Sequence, residues 1–324
     1  MGAALSQVFP PAPTLTEKNL PDQTGKVFIV TGSSSGIGLE LAYILYLHNA
    51  TVHIAARSQP KAQTAISSIK TRAPNSTGTL HFLHLDLSDL TTIPSSASTF
   101  LSQNTRLDAL INNAGVMIPP PGSKTAQGYE LQLGTNCVAP FLFTKLLTPI
   151  LIETAKTAPK DSVRVVWTSS NAAELFAPKG GVVLGNLDYG EEKGHWYKYG
   201  VSKAGNVYHA SEFARRFGEE GIVSVSLNPG GLKTDLQRHV PWYVNIWLKH
   251  MLRDPIYGAY TELYAALSPE VNASQNGAYL VPWGRLNYPL KKDLVMGQKP
   301  EKEGGSGVAG KFWEWSEEQV KPYL

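Results

Sequence analysis

The chain has 324 residues, 42% of them hydrophobic and 17% charged, with a formal net charge of +3 and one cysteine. At about 150 residues per domain this length allows one large domain or two, and a charge so near neutral argues against a nucleic-acid footprint or a polybasic membrane patch. Cys137 by itself excludes an internal disulfide and a cysteine-rich zinc site. No apolar run is read as reaching the ~18 residues of a membrane span, because Lys145 interrupts the nearest one, residues 140–152. The composition therefore points to an intracellular, cytoplasmic, non-secreted globular protein.

Residues 1–24 lack a basic region and an apolar core of the kind a secretory signal carries. Pro10, Pro11 and Pro13 make this stretch an extended arm. Its first residues match a myristoylation pattern, with Gly2 after Met1 and Ser6 following, although an ordinary initiator region is the better reading.

From Lys26 a regular alternation begins. Val27–Thr31 is a continuous apolar run entering a glycine-rich turn, as expected of a buried parallel strand. Ile37, Leu41, Ile44 and Leu45 then share one helical face. Further strands are expected at 51–55, 80–85, 109–111, 163–168 and 223–227, with helices at 63–72, 134–152 and 201–217 between them. Pro140 falls within the second of these helices and is expected to bend it or to sit where a neighbour tolerates it. Strands alternating with helices of this length imply right-handed βαβ units and one parallel sheet. The predicted architecture is α/β, a single doubly wound domain over 25–290, with residues 291–324 packed on it as a C-terminal extension.

Thr31-Gly32-Ser33-Ser34-Ser35-Gly36-Ile37-Gly38 joins the first strand to the first helix. Glycines there permit a tight turn, bring backbone N–H groups close to a pyrophosphate and open a helix N-terminus toward its charge. A glycine turn alone is weak evidence; one placed after a buried strand indicates a dinucleotide site. About 20 residues later, where an acidic residue would select NAD, stand Ala56 and Arg57. A small neutral residue removes repulsion, and a guanidinium can bind a 2′-phosphate, so NADP(H) is the expected cofactor. Tyr199 and Lys203 are four apart and share a helical face, whereas Tyr197 has Val201 at that spacing.

These motifs, together with Asn112-Asn113-Ala114-Gly115, Asn136, Ser169-Ser170 and Asn228-Pro229-Gly230, resemble the short-chain dehydrogenase/reductase family over about residues 25–290. Ala55-Ala56-Arg57, Leu85–Ser88, Leu263–Val271 and Gly277–Arg285 are similar to its retinol-dehydrogenase and WW-domain-oxidoreductase branch. The resemblance implies a catalytic set of Tyr199, Lys203, Ser170 and Asn136. Tyr199 would act as acid/base, its pKa lowered by Lys203 and a positive nicotinamide, and Ser170 would orient the substrate oxygen while Ser169 has a turn-bonding role. Asn136 would hold a water that links Lys203 to solvent.

The resemblance also implies that Gly32, Ser34, Ser35, Gly36, Ile37 and Gly38 hold the pyrophosphate end, and that Asp86 and Leu87 contact adenine. Asn113, Ala114 and Gly115 would line the adenine ribose, and Asn112 would bond between strands. Pro229, Gly230, Leu232 and Thr234 would lie along the nicotinamide, with Tyr199 and Lys203 reaching its ribose.

Ser170 and Tyr199 lie farther apart than in compact family members. The glycine-rich insert Phe176–Lys198 between them, ending near Trp196, is expected to shape substrate entry, with a plain surface excursion as the alternative. Residues 237–253 carry Trp242, Tyr243, Ile246, Trp247 and Met251, which suit the apolar inner face of a lid. The expected reaction interconverts a bulky apolar or aromatic ketone or aldehyde and its alcohol by hydride transfer. A non-redox enzyme or an NADP(H)-sensing binding protein on the same fold is the alternative. Weak peripheral membrane contact and a homodimer are candidate associations. His81 and His84, three apart on a strand, face opposite sides, so no metal is expected.

Overall fold

The computed structural model describes residues 6–234, 236 and 252–324. Seven parallel strands form one sheet: β1 (Val27–Thr31), β2 (Thr51–Ala56), β3 (Thr79–His84), β4 (Ala109–Asn112), β5 (Val163–Thr168), β6 (Ile222–Leu227) and β7 (Tyr279–Leu280), in the order β3-β2-β1-β4-β5-β6-β7. The central strands are buried along their whole length because helices cover both faces, which is why their sequences are largely apolar rather than alternating, with Arg164, Ser224 and Ser226 as buried polar exceptions. Edge strand β3 instead alternates, with His81 and His84 exposed.

On one face lie α1 (Gly36–Leu47) and α2 (Gln59–Arg72), and on the other α3 (Ile93–Gln103). Helix α2 starts earlier than the periodicity predicts, because the Ser58 hydroxyl accepts from Lys61 N and Pro60 occupies the first turn. The expected helix over 134–152 is three joined pieces: a helical entry at Leu131–Leu133, a π-helical turn at Gly134–Val138, and α4 (Ala139–Thr157). Pro140 falls in the first turn of α4, where a missing N–H costs nothing, and Pro149 lies inside it. The whole stretch Leu131–Thr157 is apolar and long enough to cross a membrane, which corrects the reading that no such run exists; 78% of its apolar window is buried in the fold.

After β5 come the short α5 (Ala172–Leu175) and the long α6 (His195–Phe217); α7 (Pro255–Leu267) follows β6, and α8 (Lys292–Gln298) and α9 (Val308–Val320) close the chain against α6. The core is correspondingly layered. Leu41, Ile66 and Leu263 from α1, α2 and α7 fill one side, and Phe100, Phe141, Phe213 and Trp313 from α3, α4, α6 and α9 fill the other. Burying each such side chain contributes on the order of 2 kcal/mol. The strand order reverses between β1 and β4, which opens a crevice at their carboxyl ends, the place where α/β sheets hold ligands.

Candidate active site

One side of that crevice is the turn after β1. Gly32 has φ +69°, and a Cβ there would stand 2.9 Å from the Ala114 backbone. A Cβ at Gly38 would come within 2.6 Å of the Asn113 amide. The turn therefore presses directly onto the segment after β4. Two hydrogen bonds fix the contact: Asn113 Nδ2 donates to Thr31 O at 2.7 Å, and Ala114 N donates to Thr31 Oγ1 at 2.9 Å. Asn113 thus directs its side chain under the turn and leaves its backbone along the cleft. Asn112 Nδ2 reaches Thr144 on α4 at 2.9 Å, which replaces the expected bond between strands with one from strand to helix. Ser33 is fully buried and anchors the turn through Val30 O at 2.7 Å, leaving Ser34 half-buried and Ser35 exposed.

Between these walls runs a cleft of about 490 Å³ that Gly32, Ser34, Arg57, Asp86, Leu87 and Gly115 help to line. Arg57 is exposed at its rim, directly after buried Ala56. Asp86 commits one carboxylate oxygen to Ser88 N at 2.9 Å and to the Ser88 hydroxyl at 2.6 Å, which fixes the carboxylate's orientation. On the far side Ile37 packs against Gly258, and a Cβ at Gly36 would lie 3.5 Å from Thr234. Leu232 is buried and bridges Arg253, while Gly230 has φ +93° and is covered by Trp283. Of the expected lid, residues 237–251 lie outside the described residues, as does Gly2.

Helix α6 begins at His195, six residues before the predicted start, so Tyr199 and Lys203 both fall within it. Tyr199 is 4% exposed, and Ser170, whose hydroxyl donates to Asn171 Oδ1 at 3.2 Å and accepts from Ala172 N at 3.2 Å, acts on its phenol. The Lys203 ammonium lies 5.7 Å from the Tyr199 ring centroid and donates to Thr168 O at 2.9 Å. Ser169 turns the other way, its hydroxyl donating to Lys203 O at 2.7 Å. A Cβ at Gly115 would stand 3.4 Å from Lys203 Nζ and 3.1 Å from Asn136 Oδ1, so the absent side chain leaves the lysine open to the cleft.

Asn136 lies in the π-helical turn, a feature frequent at functional sites. Its amide is held by Val116 N at 2.8 Å, Val116 O at 3.0 Å and Ser202 Oγ at 3.0 Å. Burial pushes Lys203 down to about 8 and pushes the Tyr199 phenol up, opposed by Ser170. In the protein's own field, without the positive nicotinamide of the expectation, the tyrosine is therefore shifted upward, because desolvation outweighs Ser170.

The two ends of the insert meet beside this pair. Phe176 and Trp196 are 39% and 44% exposed, with ring centroids 4.8 Å apart, and Trp196 stands edge-on to Tyr199 at 6.4 Å. Sequence motifs gave no sign of three further participants. Thr168 supplies the carbonyl that holds Lys203, Ser202 buttresses Asn136, and Glu262 of α7 accepts from Thr168 Oγ1 at 2.8 Å.

A phosphate-accommodating turn, a cleft at the sheet's switch point and a Tyr–Lys pair define a dinucleotide-dependent oxidoreductase fold and site. The short chain dehydrogenase family model matches residues 26–242. A short-chain dehydrogenase/reductase of Phomopsis amygdali is 52% identical over 326 residues, covering 99% of this chain and 97% of its own. The short-chain dehydrogenase/reductase pkfC of Emericella nidulans is 50% identical over 315 residues, covering 96% and 98%. Among solved structures, an uncharacterized protein of Mycobacterium paratuberculosis superposes with TM-score 0.67 at 27% identity, over 95% of this chain and 97% of that one. The Pseudomonas aeruginosa RhlG/NADP active-site complex superposes with TM-score 0.62 at 23% identity, over 80% and 95%, and shows the shared fold. The chain belongs to the short-chain dehydrogenase/reductase family, whose members use nicotinamide cofactors.

Proposed function

We propose that the protein is an NADP(H)-dependent oxidoreductase that interconverts a bulky apolar or aromatic ketone or aldehyde and its alcohol. The observation that carries this reading is the buried Tyr199 phenol, next to Ser170 and to a lysine that lies directly behind Gly115 in the cleft wall. The site fits the cofactor. Glycines at 32 and 38 let the turn seat against the Asn113–Ala114 segment at the cleft, where backbone N–H groups at the start of α1 would meet a pyrophosphate, and Arg57 supplies a cation where NAD-selective sites carry an acid.

When bound, the cofactor supplies the hydride acceptor or donor. The chain supplies the proton. Tyr199 transfers it to or from the substrate oxygen at its phenolic Oη, and Ser170 donates a hydrogen bond to the charge that develops on that oxygen. Lys203, held by Thr168 O, offers its ammonium to ribose hydroxyls and favours the phenolate electrostatically. Asn136 holds the Val116 segment against α6, next to the route by which the proton is replaced. The exposed Phe176–Trp196 ledge beside Tyr199 gives an apolar, ring-shaped surface that favours aromatic or aliphatic bulk over polyols. The test is NADPH consumption across a panel of aromatic and aliphatic carbonyls. Activity should fall by about 10³-fold or more in Tyr199→Phe with NADPH still bound. Binding of NADPH with no turnover on any carbonyl would favour a sensor.

A further inference from the structure

Behind the Tyr–Lys pair, on the opposite side of β5, α7 places a carboxyl group in the core. Glu262 is fully buried, although a glutamate on a helix is ordinarily solvated. Its Oε1 accepts from Thr168 Oγ1 at 2.8 Å, and Oε2 has no hydrogen-bond partner among the described residues. The same residue, Thr168, presents its main-chain oxygen to Lys203 Nζ at 2.9 Å and to Asn206 Nδ2 at 3.1 Å. One threonine therefore bonds a buried carboxyl with its side chain and a buried ammonium with its backbone. Among the described residues, Lys203 is acted on by Glu262 from α7 and Cys137 from the π-helical turn, with Tyr199 on its own helix. Cys137 stays a thiol, its pKa pushed up to about 12 by burial. Burial pushes the Glu262 carboxyl up to about 8, opposed by the Thr168 hydrogen bond and by Lys203, so it ionises over the same range in which the lysine would lose its proton. No direct ion pair joins the two, so packing alone gives no reason to bury an acid at this point.

We propose that Glu262 is a positioning residue for the reaction: coupled to Lys203 through Thr168, it ionises as the pH rises and so keeps Lys203 an ammonium to higher pH. This rests on the reading of Lys203 as the cation of a reductase site. A buried cation near an anion holds its proton to higher pH than the same cation alone, and the two groups titrate as a coupled pair. Removing the anion leaves desolvation to drive the proton off Lys203.

The test is the titration of Lys203 in the full chain labelled with ¹³C-lysine, its Cε resonance assigned by Lys203→Arg, in wild type and Glu262→Gln. Glutamine keeps both the volume and the acceptor for Thr168, so a packing role predicts an unchanged midpoint. The expected result is a midpoint lower by about one pH unit, with the high-pH limb of kcat/KM for NADPH-linked reduction moving down in parallel. Thr168→Val, which frees the carboxyl, should lower the midpoint in the same direction and serves if the glutamine variant does not fold. An unmoved midpoint overturns the proposal, as does a moved midpoint with an unmoved kinetic limb. The titration requires no turnover, so it stands apart from the outcome of the carbonyl panel.

Discussion

The Ser169 hydroxyl donates to the main-chain carbonyl of Lys203 at 2.7 Å, tying the end of β5 to the helix that carries the Tyr–Lys pair. Its neighbour Ser170 faces the Tyr199 phenol and helps to hold its pKa down instead. Two adjacent serines thus divide support and chemistry. Ser170→Ala should lower kcat/KM by about 10²-fold, the usual scale for losing one donor to a developing oxyanion, with little effect on Tm. Ser169→Ala leaves a buried carbonyl short of a donor. It should cost roughly 1–2 kcal/mol in denaturant unfolding while turnover of the folded enzyme stays within a few-fold. Steady-state kinetics and urea titration of both variants check the pair. The reverse pattern would exchange the two roles.

What the sequence made legible follows from which forces leave periodic traces. Val27–Thr31 and Val163–Thr168 are legible as strands because burial on both faces favours near-continuous β-branched and aromatic runs, Arg164 being the one charged exception. Strand β7, only Tyr279–Leu280, is too short to leave such a run. The π-helical turn around Asn136 is a matter of hydrogen-bond register, which apolar spacing does not encode. Helix α6 begins ahead of its apolar face, at His195, where solvent contact gives no periodic signal. Glu262 stands among apolar neighbours in α7, and a single acid in that setting reads as a solvated charge until the packing shows otherwise. The tyrosine's pKa was misdirected for the same reason: spacing reveals the lysine nearby but not the depth of burial.

Cofactor choice should depend on Arg57. It is exposed at the cleft rim after Ala56, and no acid stands at that point to repel a 2′-phosphate. A charge-assisted bond to phosphate is worth about 1.5–3 kcal/mol, so Arg57→Ala should raise KM for NADPH roughly 10- to 100-fold. The KM for NADH, which has no such phosphate, should move less than about threefold. Equal use of NADH and NADPH by wild type and variant would remove the NADP(H) assignment.

The amino-terminal arm is part of the site's frame. Gln7 accepts from Asn228 Nδ2 at 2.7 Å, at the end of β6, and donates to Glu174 Oε2 at 3.3 Å, just past Ser170. Arg285 holds the adjacent Ser6 carbonyl at 2.7 Å. One side chain therefore ties the segment after β6 to α5, just past Ser170. Gln7→Glu sets a carboxylate against Glu174 and should raise the substrate KM several-fold; Glu174→Gln in the same chain should restore it. A double-mutant cycle is expected to show coupling of about 0.5–1 kcal/mol. Strictly additive effects would mean that the bridge does not operate in solution.

Acid stability should be governed in part by His209. The ring is fully buried, stacked on Phe312 at 4.8 Å and beside Phe141 at 4.9 Å. Its Nε2 lies 3.0 Å from Ser316 Oγ, whose own proton goes to Phe312 O at 2.8 Å. Nε2 must then be the donor, which leaves Nδ1 unprotonated, and Nδ1 has no partner among the described residues. A proton added there would find no acceptor, and burial pushes the pKa down to about 3. The unfolded histidine protonates near its ordinary value of about 6.5, so between that pH and about 3 the unfolded chain binds the extra proton. Stability is accordingly complete above about 6.5 and falls as the pH drops through this window, by up to about 1.4 kcal/mol per unit for this group. His209→Phe leaves the Ser316 bond to Phe312 intact and removes the titrating ring. Between pH 6 and 5 its unfolding free energy, from urea titrations, should decline by about 1 kcal/mol less than that of wild type. His53, lowered to about 4 by burial and by His81, continues to contribute in both proteins, so the slope should shrink without vanishing. An unchanged slope would mean that His209 carries the same proton folded and unfolded, against its place in the aromatic core.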